Sequence, residues 1–256
     1  MGVARTTAAP PHGVFVPFAT DTPLCPAVFL ERPNRFVAFV ELDGERQRVH
    51  VPDPGRLPEL MIPGTACMLT DYGLRPNRKT RYALTLIRNP KDTHWVCINT
   101  QQPNQLVKRL LLEGTLPGHE TDTLIKAESK WGQSRFDFLV DSNGQQHFIE
   151  VKAVSLVDDT HAPNGRGLFP DAPTVRGTKH LKELIEAHTH HGYRATVLFV
   201  IQRDDAVSVE ANVSTDPTFA ATLTEACQAG VGLEAIRVHY TPEGMTVHPE
   251  LLPVYT

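Results

Sequence analysis

The dipeptide Asn143-Gly144 constrains the fold of this chain more than any other feature of its sequence. Asn-Gly between two strand-like runs is the strongest short hairpin signal, because a two-residue type I′ turn needs positive φ at both positions and these residues tolerate it. The runs on either side are Arg135-Phe-Asp-Phe-Leu-Val140 and His147-Phe-Ile-Glu-Val-Lys152. Pairing Ser142 with Gln145 sets the register. Asp137 then falls opposite Glu150, with Cβ atoms about 4.5–5.5 Å apart, and Arg135 falls opposite Lys152 on the same face. Phe136, Phe138, Val140, Ile149 and Val151 take the other face, which is the one expected to be buried.

Two carboxylates opposed across a ladder repel each other unless positive charge lies between them. A divalent cation meets that need. Mg²⁺ takes one or two carboxylates and leaves its other positions to water and phosphate oxygens. Lys152, two residues beyond Glu150, points to the same face, where an ammonium would orient an attacking water and stabilise charge developing on a phosphate. The pattern is that of a metal-dependent phosphodiesterase. The same four side chains would also form a salt-bridge ladder on a solvent-facing hairpin, and the hairpin alone does not choose between the two.

Charge is unevenly distributed. The 256 residues carry 25 Lys+Arg against 29 Asp+Glu, for a formal net charge of −4, which excludes binding of polyanions by bulk charge. Residues 24–98 are nevertheless net positive, and residues 99–256 carry the deficit. Between Arg75 and Lys91 lie Arg75, Arg78, Lys79, Arg81, Arg88 and Lys91 with no acidic residue among them, either a local patch of the kind that meets phosphate or a solvated loop.

The halves also differ in pattern. Short alternating runs at 35–41 and 46–51, joined at Asp43-Gly44, and further runs at 66–70, 82–88 and 94–98 predict five short strands, hence a small barrel. Within it, His50-Val-Pro-Asp-Pro-Gly-Arg-Leu57 is a rigid loop in which Gly55 permits close backbone approach and Arg56 stands at the tip. From Asn99 onward helices and strands mix: helices near 105–113, 178–191 and 217–229, and strands near 136–140, 147–154, 195–201 and 233–239. That is an α/β pattern. We therefore divide the chain into a loosely held extension (1–23), a barrel domain (24–98) and an α/β domain (99–256).

The connection from Val157 to Gly177 exceeds usual loop lengths and follows Lys152 directly, which points to a functional or mobile segment. Asp171, Arg176 and Lys179 near the start of the next helix are placed to meet phosphate or to order the active site, since helix N-termini favour anions. His188, His190 and His191 end that helix, where imidazoles meet the C-terminal dipole rather than a transition metal. Trp131 packs or stacks on a base, with packing favoured. The apolar run at 195–201 is far too short to span a bilayer, and Cys25, Cys67, Cys97 and Cys227 are widely spaced with no C-x-x-C, so a reducing cytoplasm is expected.

Four separated stretches occur in an order that resembles the sugar fermentation stimulation protein A family: His50-Val-Pro-Asp-Pro-Gly-Arg56, Asn99-Thr-Gln-Gln-Pro-Asn-Gln-Leu106, the pair Ser134-Arg-Phe-Asp137 and Ile149-Glu-Val-Lys152, and Leu168-Phe-Pro-Asp-Ala-Pro-Thr-Val-Arg-Gly-Thr-Lys-His-Leu-Lys-Glu-Leu184. The resemblance covers about residues 26–255. It implies an N-terminal OB-fold, a restriction-endonuclease-like domain of the PD-(D/E)xK type, and DNA as partner. Carried onto this chain, it places metal carboxylates at Asp137 and Glu150, a catalytic lysine at Lys152 and an auxiliary acid, also a metal ligand, at Glu128. Arg56, Arg75, Arg78, Lys79, Arg81, Lys130, Arg135, Arg176 and Lys179 are the expected nucleic-acid contacts. The family pattern has Asn where Asp53 stands and Glu where Val175 stands; the first difference removes an amide donor and adds negative charge near the expected phosphate contact.

The expectation is thus a DNA-binding, Mg²⁺- or Mn²⁺-dependent nuclease. The alternative is a non-catalytic DNA-binding regulator of sugar-metabolism genes that keeps the nuclease fold as scaffold. RNA remains open as a substrate because OB-folds accept either strand type, a homodimer remains open, and no membrane partner is expected.

Overall fold

The computed structural model describes residues 13–18, 23–76, 78–91, 94–158, 160 and 164–256. Its elements begin with β1 (Val14–Pro17), β2 (Cys25–Asn34), β3 (Val37–Leu42), β4 (Glu45–His50), β5 (Ala66–Asp71), β6 (Tyr82–Arg88) and β7 (Trp95–Cys97). Strands β2–β6 run in the order β4-β3-β2-β5-β6, and β4 returns to pair with β6 at Val49–Tyr82 and His50–Ala83, which closes a five-stranded barrel. Its interior is filled by the inward members of each alternating run, among them Phe29, Val40, Val49, Leu69, Leu84 and Ile87. Closure removes the exposed strand edges that so short a sheet would otherwise present.

The α/β domain follows with α1 (Gln102–Glu113), β8 (Thr123–Trp131), β9 (Ser134–Ser142), β10 (Gln145–Val154), β11 (Val157–Asp158), β12 (Gly165–Phe169), α2 (Val175–His191), β13 (Arg194–Ile201), β14 (Ala206–Ala211), α3 (Pro217–Gln228), β15 (Gly232–Thr241), β16 (Gly244–Val247) and β17 (Val254–Tyr255). Its main sheet runs β15-β13-β10-β9-β8, with β10, β13 and β15 parallel and β9 and β8 antiparallel. Strand β7 pairs with both β6 and β15 and so ties barrel to sheet.

Both faces of this sheet are covered, which is why Ala195–Ile201 is almost uninterruptedly apolar. Leu106, Val107, Leu110 and Leu111 of α1 pack on Phe138, Val140, Ile149, Val151, Leu198 and Val200. Leu181, Leu184 and Ala187 of α2, with Phe219, Leu223 and Ala226 of α3, pack on Phe136, Phe148, Val197 and Phe199. Helix α2 begins three residues before the predicted start because the Thr174 side chain caps it, accepting from Gly177 N–H at 3.0 Å.

The Asn143-Gly144 turn forms as predicted, with φ of 55° and 85°, and the ladder runs from Gln145–Ser142 to Ile149–Phe138. It stops one pair short of Asp137 and Glu150. The predicted Arg135–Lys152 pair is therefore absent: Arg135 sits opposite Lys130 of β8, while Lys152 lies in β10 beside Glu150. Phe136 also departs from the predicted face, packing with Phe148 on the α2 side while Phe138 and Val140 pack on the α1 side.

Of the extension expected to be loosely held, Val14–Pro17 pairs with Gly244–Val247 and buries Val16, while residues 1–12 and 19–22 lie outside the described residues. The 157–177 connection, expected to be functional or mobile, contributes β11 and β12 to a second small sheet, ordered β11-β12-β14-β17. All four cysteines are free, and no helix among the described residues is long and apolar enough to cross a membrane.

Candidate active site

Where the β9–β10 ladder stops, a carboxylate replaces it. Asp137 Oδ2 accepts the backbone N–H of Val151 at 2.8 Å, and Oδ1 accepts from Asn104 Nδ2, at the start of α1, at 2.6 Å. Burial, and next the charge of Glu150, push the Asp137 carboxyl up to about 6, although the Val151 N–H, Lys152 and Asn104 all favour its ionised form.

Glu150 is 3% exposed, which rules out the solvent-facing ladder. Its Oε1 accepts from Lys152 Nζ at 2.6 Å and from His180 Nδ1 at 2.5 Å. Burial alone would raise its pKa, but Lys152 first and His180 next outweigh that and hold it below the usual glutamate value. His180 is oriented from its far side, where Arg176 Nε donates to Nε2 at 3.3 Å; an accepting Nε2 puts the ring proton on Nδ1, facing Glu150. Glu150 Oε2 is buried and makes no hydrogen bond among the described residues. A buried, unpartnered anionic oxygen is costly, and a bound cation is one way to satisfy it. With Asp137 alongside and no thiolate in the group, these oxygen donors suit a small hard divalent cation.

Asp137, Glu150 and Lys152 are thus brought together. Glu128 is adjacent in register, because Ala127–Phe138 and Ser129–Phe136 bracket it against Asp137, yet its side chain is 58% exposed and its carboxylate meets Arg135 at 3.8 Å. It also holds φ of 54°, a strained conformation for a non-glycine residue. Asn104 and His180 were not singled out by sequence reasoning as site residues, although both lie inside the family-like stretches; the i, i+4 spacing of Arg176 and His180 on α2 was the available signal.

The expected phosphate contacts form two groups. Lys130, Arg135, Arg176 and Lys179 are all exposed on β8, β9 and α2, and Lys179 Nζ reaches Gln133 Oε1 at 3.4 Å across the gap between hairpin and helix. On the barrel, Arg75, Arg78, Lys79 and Arg81 line a cavity of about 390 Å³. Its charge is partly offset, however, because Arg81 pairs with Asp71 at 2.6 Å, while the Arg78 guanidinium keeps its charge and lies 3.6 Å from the centre of the Tyr72 ring.

The Arg56 loop is held from behind. Arg32 donates to the carbonyls of Arg35, Asp53, Gly55 and Arg56, which leaves the Arg56 side chain exposed beside a cavity of about 380 Å³ between barrel and α/β domain. Asp53 does not face that opening. It is buried, accepting from Gly55 N–H at 2.7 Å and from Ser155 Oγ at 2.9 Å, so its negative charge is spent joining the domains. The close approach that Gly55 permits is to this chain itself: a Cβ there would lie 2.0 Å from Asp171 Oδ2. Burial and the neighbouring Asp53 push Asp171 up to about 6. Trp131 packs, with ring centroids 5.0 Å from both Tyr193 and His191.

Comparison with known proteins agrees with this architecture. The family model for the sugar fermentation stimulation protein RE domain matches residues 101–244, and that for the SfsA N-terminal OB domain matches residues 30–98. The sugar fermentation stimulation protein homolog of Moorella thermoacetica is 40% identical over 220 residues, covering 86% of this chain and 91% of the relative. That of Acetivibrio thermocellus is 43% identical over 213 residues, covering 83% and 88%. The solved structure of Pyrococcus furiosus SfsA in complex with Ca²⁺ superposes with a TM-score of 0.80 at 30% identity, covering 93% of this chain and 99% of that one. With both domain models matched in order, and close relatives matched along nearly their whole length, the chain belongs to the sugar fermentation stimulation protein family.

Proposed function

We propose that this protein binds DNA through backbone phosphates and hydrolyses phosphodiester bonds at the Asp137–Glu150–Lys152 centre with Mg²⁺ or Mn²⁺ as cofactor. The observation that carries the reading is the buried Glu150, with one oxygen held by Lys152 and His180 and the other unpartnered, next to an Asp137 whose carboxyl is pushed up to about 6. A bound divalent cation would supply Lewis acidity and neutralise charge on the phosphate.

The protein's own groups have separate tasks. Asp137 and Glu150 present oxygen donors, and Asn104, the Val151 N–H and His180 fix their orientation. Lys152, at 12% side-chain exposure, donates to Glu150 beside Asp137; it orients the attacking water and donates to the phosphate as negative charge builds. Arg176, beside His180 at the start of α2, and Lys130, Arg135 and Lys179 around the hairpin hold the flanking phosphates. Arg56, with Arg75, Arg78, Lys79 and Arg81 on the barrel, extends the backbone contact without reading bases. Glu128 would join the centre only if its carboxylate left Arg135.

The test is incubation of the metal-stripped protein with plasmid, single-stranded DNA and single-stranded RNA in Mg²⁺ or Mn²⁺, beside Asp137→Ala and Lys152→Ala. Cleavage by the wild type that both substitutions abolish supports the assignment. Equal residual activity in all three proteins removes it, and salt-sensitive binding without turnover in any metal leaves the scaffold alternative.

A further inference from the structure

A second cluster lies on the opposite face of the sheet from Glu150 and Lys152. His119 and Asp122, in the turn between α1 and β8, meet His147 at the start of β10, and the three side chains are 3%, 4% and 1% exposed. One ligand atom from each lies within 4.8 Å of the others. Asp122 Oδ2 is 2.8 Å from His119 Nδ1 and 3.7 Å from His147 Nδ1. Tetrahedral zinc, with bonds of about 2.0–2.1 Å, separates its ligand atoms by roughly 3.3 Å, between these two distances.

The outer nitrogen of each imidazole is already engaged. His119 Nε2 meets Glu234 Oε2 of β15 at 2.8 Å, and His147 Nε2 meets Thr196 Oγ1 of β13 at 2.9 Å. Glu234 accepts from the far nitrogen of His119 and Thr196 can accept from that of His147, which aims both near nitrogens inward as metal-binding histidines are aimed by their surroundings. The near nitrogen of His119 donates to Asp122, and a bound ion would take the place of that proton. The inward nitrogen of His147 is the second observation: Nδ1 is buried and has no hydrogen-bond partner among the described residues. A hydrogen-bonded network alone accounts for His119, which carboxylates flank on both sides, but leaves that nitrogen unexplained.

We propose that His119, Asp122 and His147 form a cation site separate from the Asp137–Glu150 centre, selective for a borderline transition ion of which Zn²⁺ is the type. The donor chemistry separates the two sites: two imidazoles and one carboxylate favour zinc-class ions, whereas an all-oxygen pair favours Mg²⁺ or Mn²⁺. Three protein donors leave the fourth zinc position to a water, and with all three side chains buried no substrate reaches it, so the role is structural. The ion fastens the α1–β8 turn to β10 directly, and to β13 and β15 through Thr196 and Glu234.

The experiment is Zn²⁺ titration of the full, metal-stripped chain in competition with a chromophoric chelator, with thermal melts alongside. The wild type is expected to bind one equivalent and to melt higher with zinc. Asp137→Ala, which removes the other centre, keeps that equivalent, while His147→Gln and Asp122→Asn weaken it by more than 100-fold. Co²⁺ in place of zinc should give visible d–d absorption without a thiolate charge-transfer band, which separates this site from the cysteines. Should His147→Gln fail to fold, Glu234→Gln decides, with an expected loss of about 10–100-fold in zinc affinity. The proposal is overturned if the wild type takes up no zinc, if His147→Gln and Asp122→Asn bind as the wild type does, or if Glu234→Gln leaves the affinity unchanged.

Discussion

Asp137→Asn should make the metal-free protein more stable while abolishing cation binding at the main centre. Folding takes Asp137 from the ordinary 3.8 to about 6, so keeping it ionised at neutral pH costs the folded state about 3 kcal/mol. A raised carboxyl pKa stabilises the fold while the group is protonated, below pH 3.8; that contribution declines as pH rises to about 6 and is absent above it. Asparagine keeps an oxygen for the Val151 N–H, and its new amide meets Asn104, whose own amide can rotate to present oxygen instead. Packing is therefore conserved and the charge is the main change. In EDTA, urea unfolding at intervals from pH 4 to 8 should show the variant gaining on the wild type with rising pH, to about 3 kcal/mol at pH 8, with little difference near pH 4. Mn²⁺ at about 1,000 times its Kd should reverse the ranking, because it stabilises the wild type alone by about 4.1 kcal/mol. A difference independent of pH, or a variant less stable at pH 8, would refute the reasoning.

His180→Ala removes one donor from Glu150 and an edge contact with Phe136, and should lower stability by about 2–3 kcal/mol in thermal or urea melts at pH 7. Because the depressed Glu150 pKa contributes stability above 4.5 that is lost as pH falls below it, the same substitution should move the acid-unfolding midpoint upward. Gly55→Ala would drive a methyl group into Asp171, at a cost of about 1–3 kcal/mol, and limited proteolysis should then cut sooner between barrel and α/β domain. Replacing Arg56, Lys130 or Lys179 singly by Ala should reduce the slope of log K against log salt by about 1 in DNA-binding titrations and weaken all sequences alike.

What the sequence disclosed follows from how local each feature is. The Asn143-Gly144 turn, the helical stripes of α1 and α2 and the apolar run of β13 depend on residues a few positions apart, so periodicity finds them. Strand β14 pairs only with partners far along the chain, and β12 has just the two-residue β11 as a local partner; their composition does not separate them from loop. The roles of Asp137, Glu150 and Lys152 were legible as a motif, but their supports were not, because Asn104 and His180 arrive from two helices that the fold alone brings together. The same limit hid His119, Asp122 and His147. The histidine run visible in the sequence, His188–His191, holds other contacts: His188 binds the Tyr193 carbonyl and His191 lies against Trp131.

The one place where the register went wrong is also the place where the site forms. Extrapolating the β9–β10 ladder from the turn assumes that the two strands stay paired, and they do so only to Ile149–Phe138. Beyond it the Asp137 side chain binds the Val151 N–H, while β9 continues to pair with β8 as far as Trp131–Ser134. The tip of the β8–β9 hairpin thereby leaves β10 and bends onto the α2 face, where Phe136 meets His180, Trp131 meets Tyr193, and Gln133 meets Lys179. An unbroken ladder would have given the surface row of alternating charges that the sequence also allowed. Its interruption leaves Glu150 buried beneath α2, with His180 above it and Lys152 beside it, and carries Lys130 and Arg135 toward the start of the same helix as Arg176 and Lys179. One carboxylate taking the place of a backbone acceptor thus creates both the cation-ready pair and the basic rim around it.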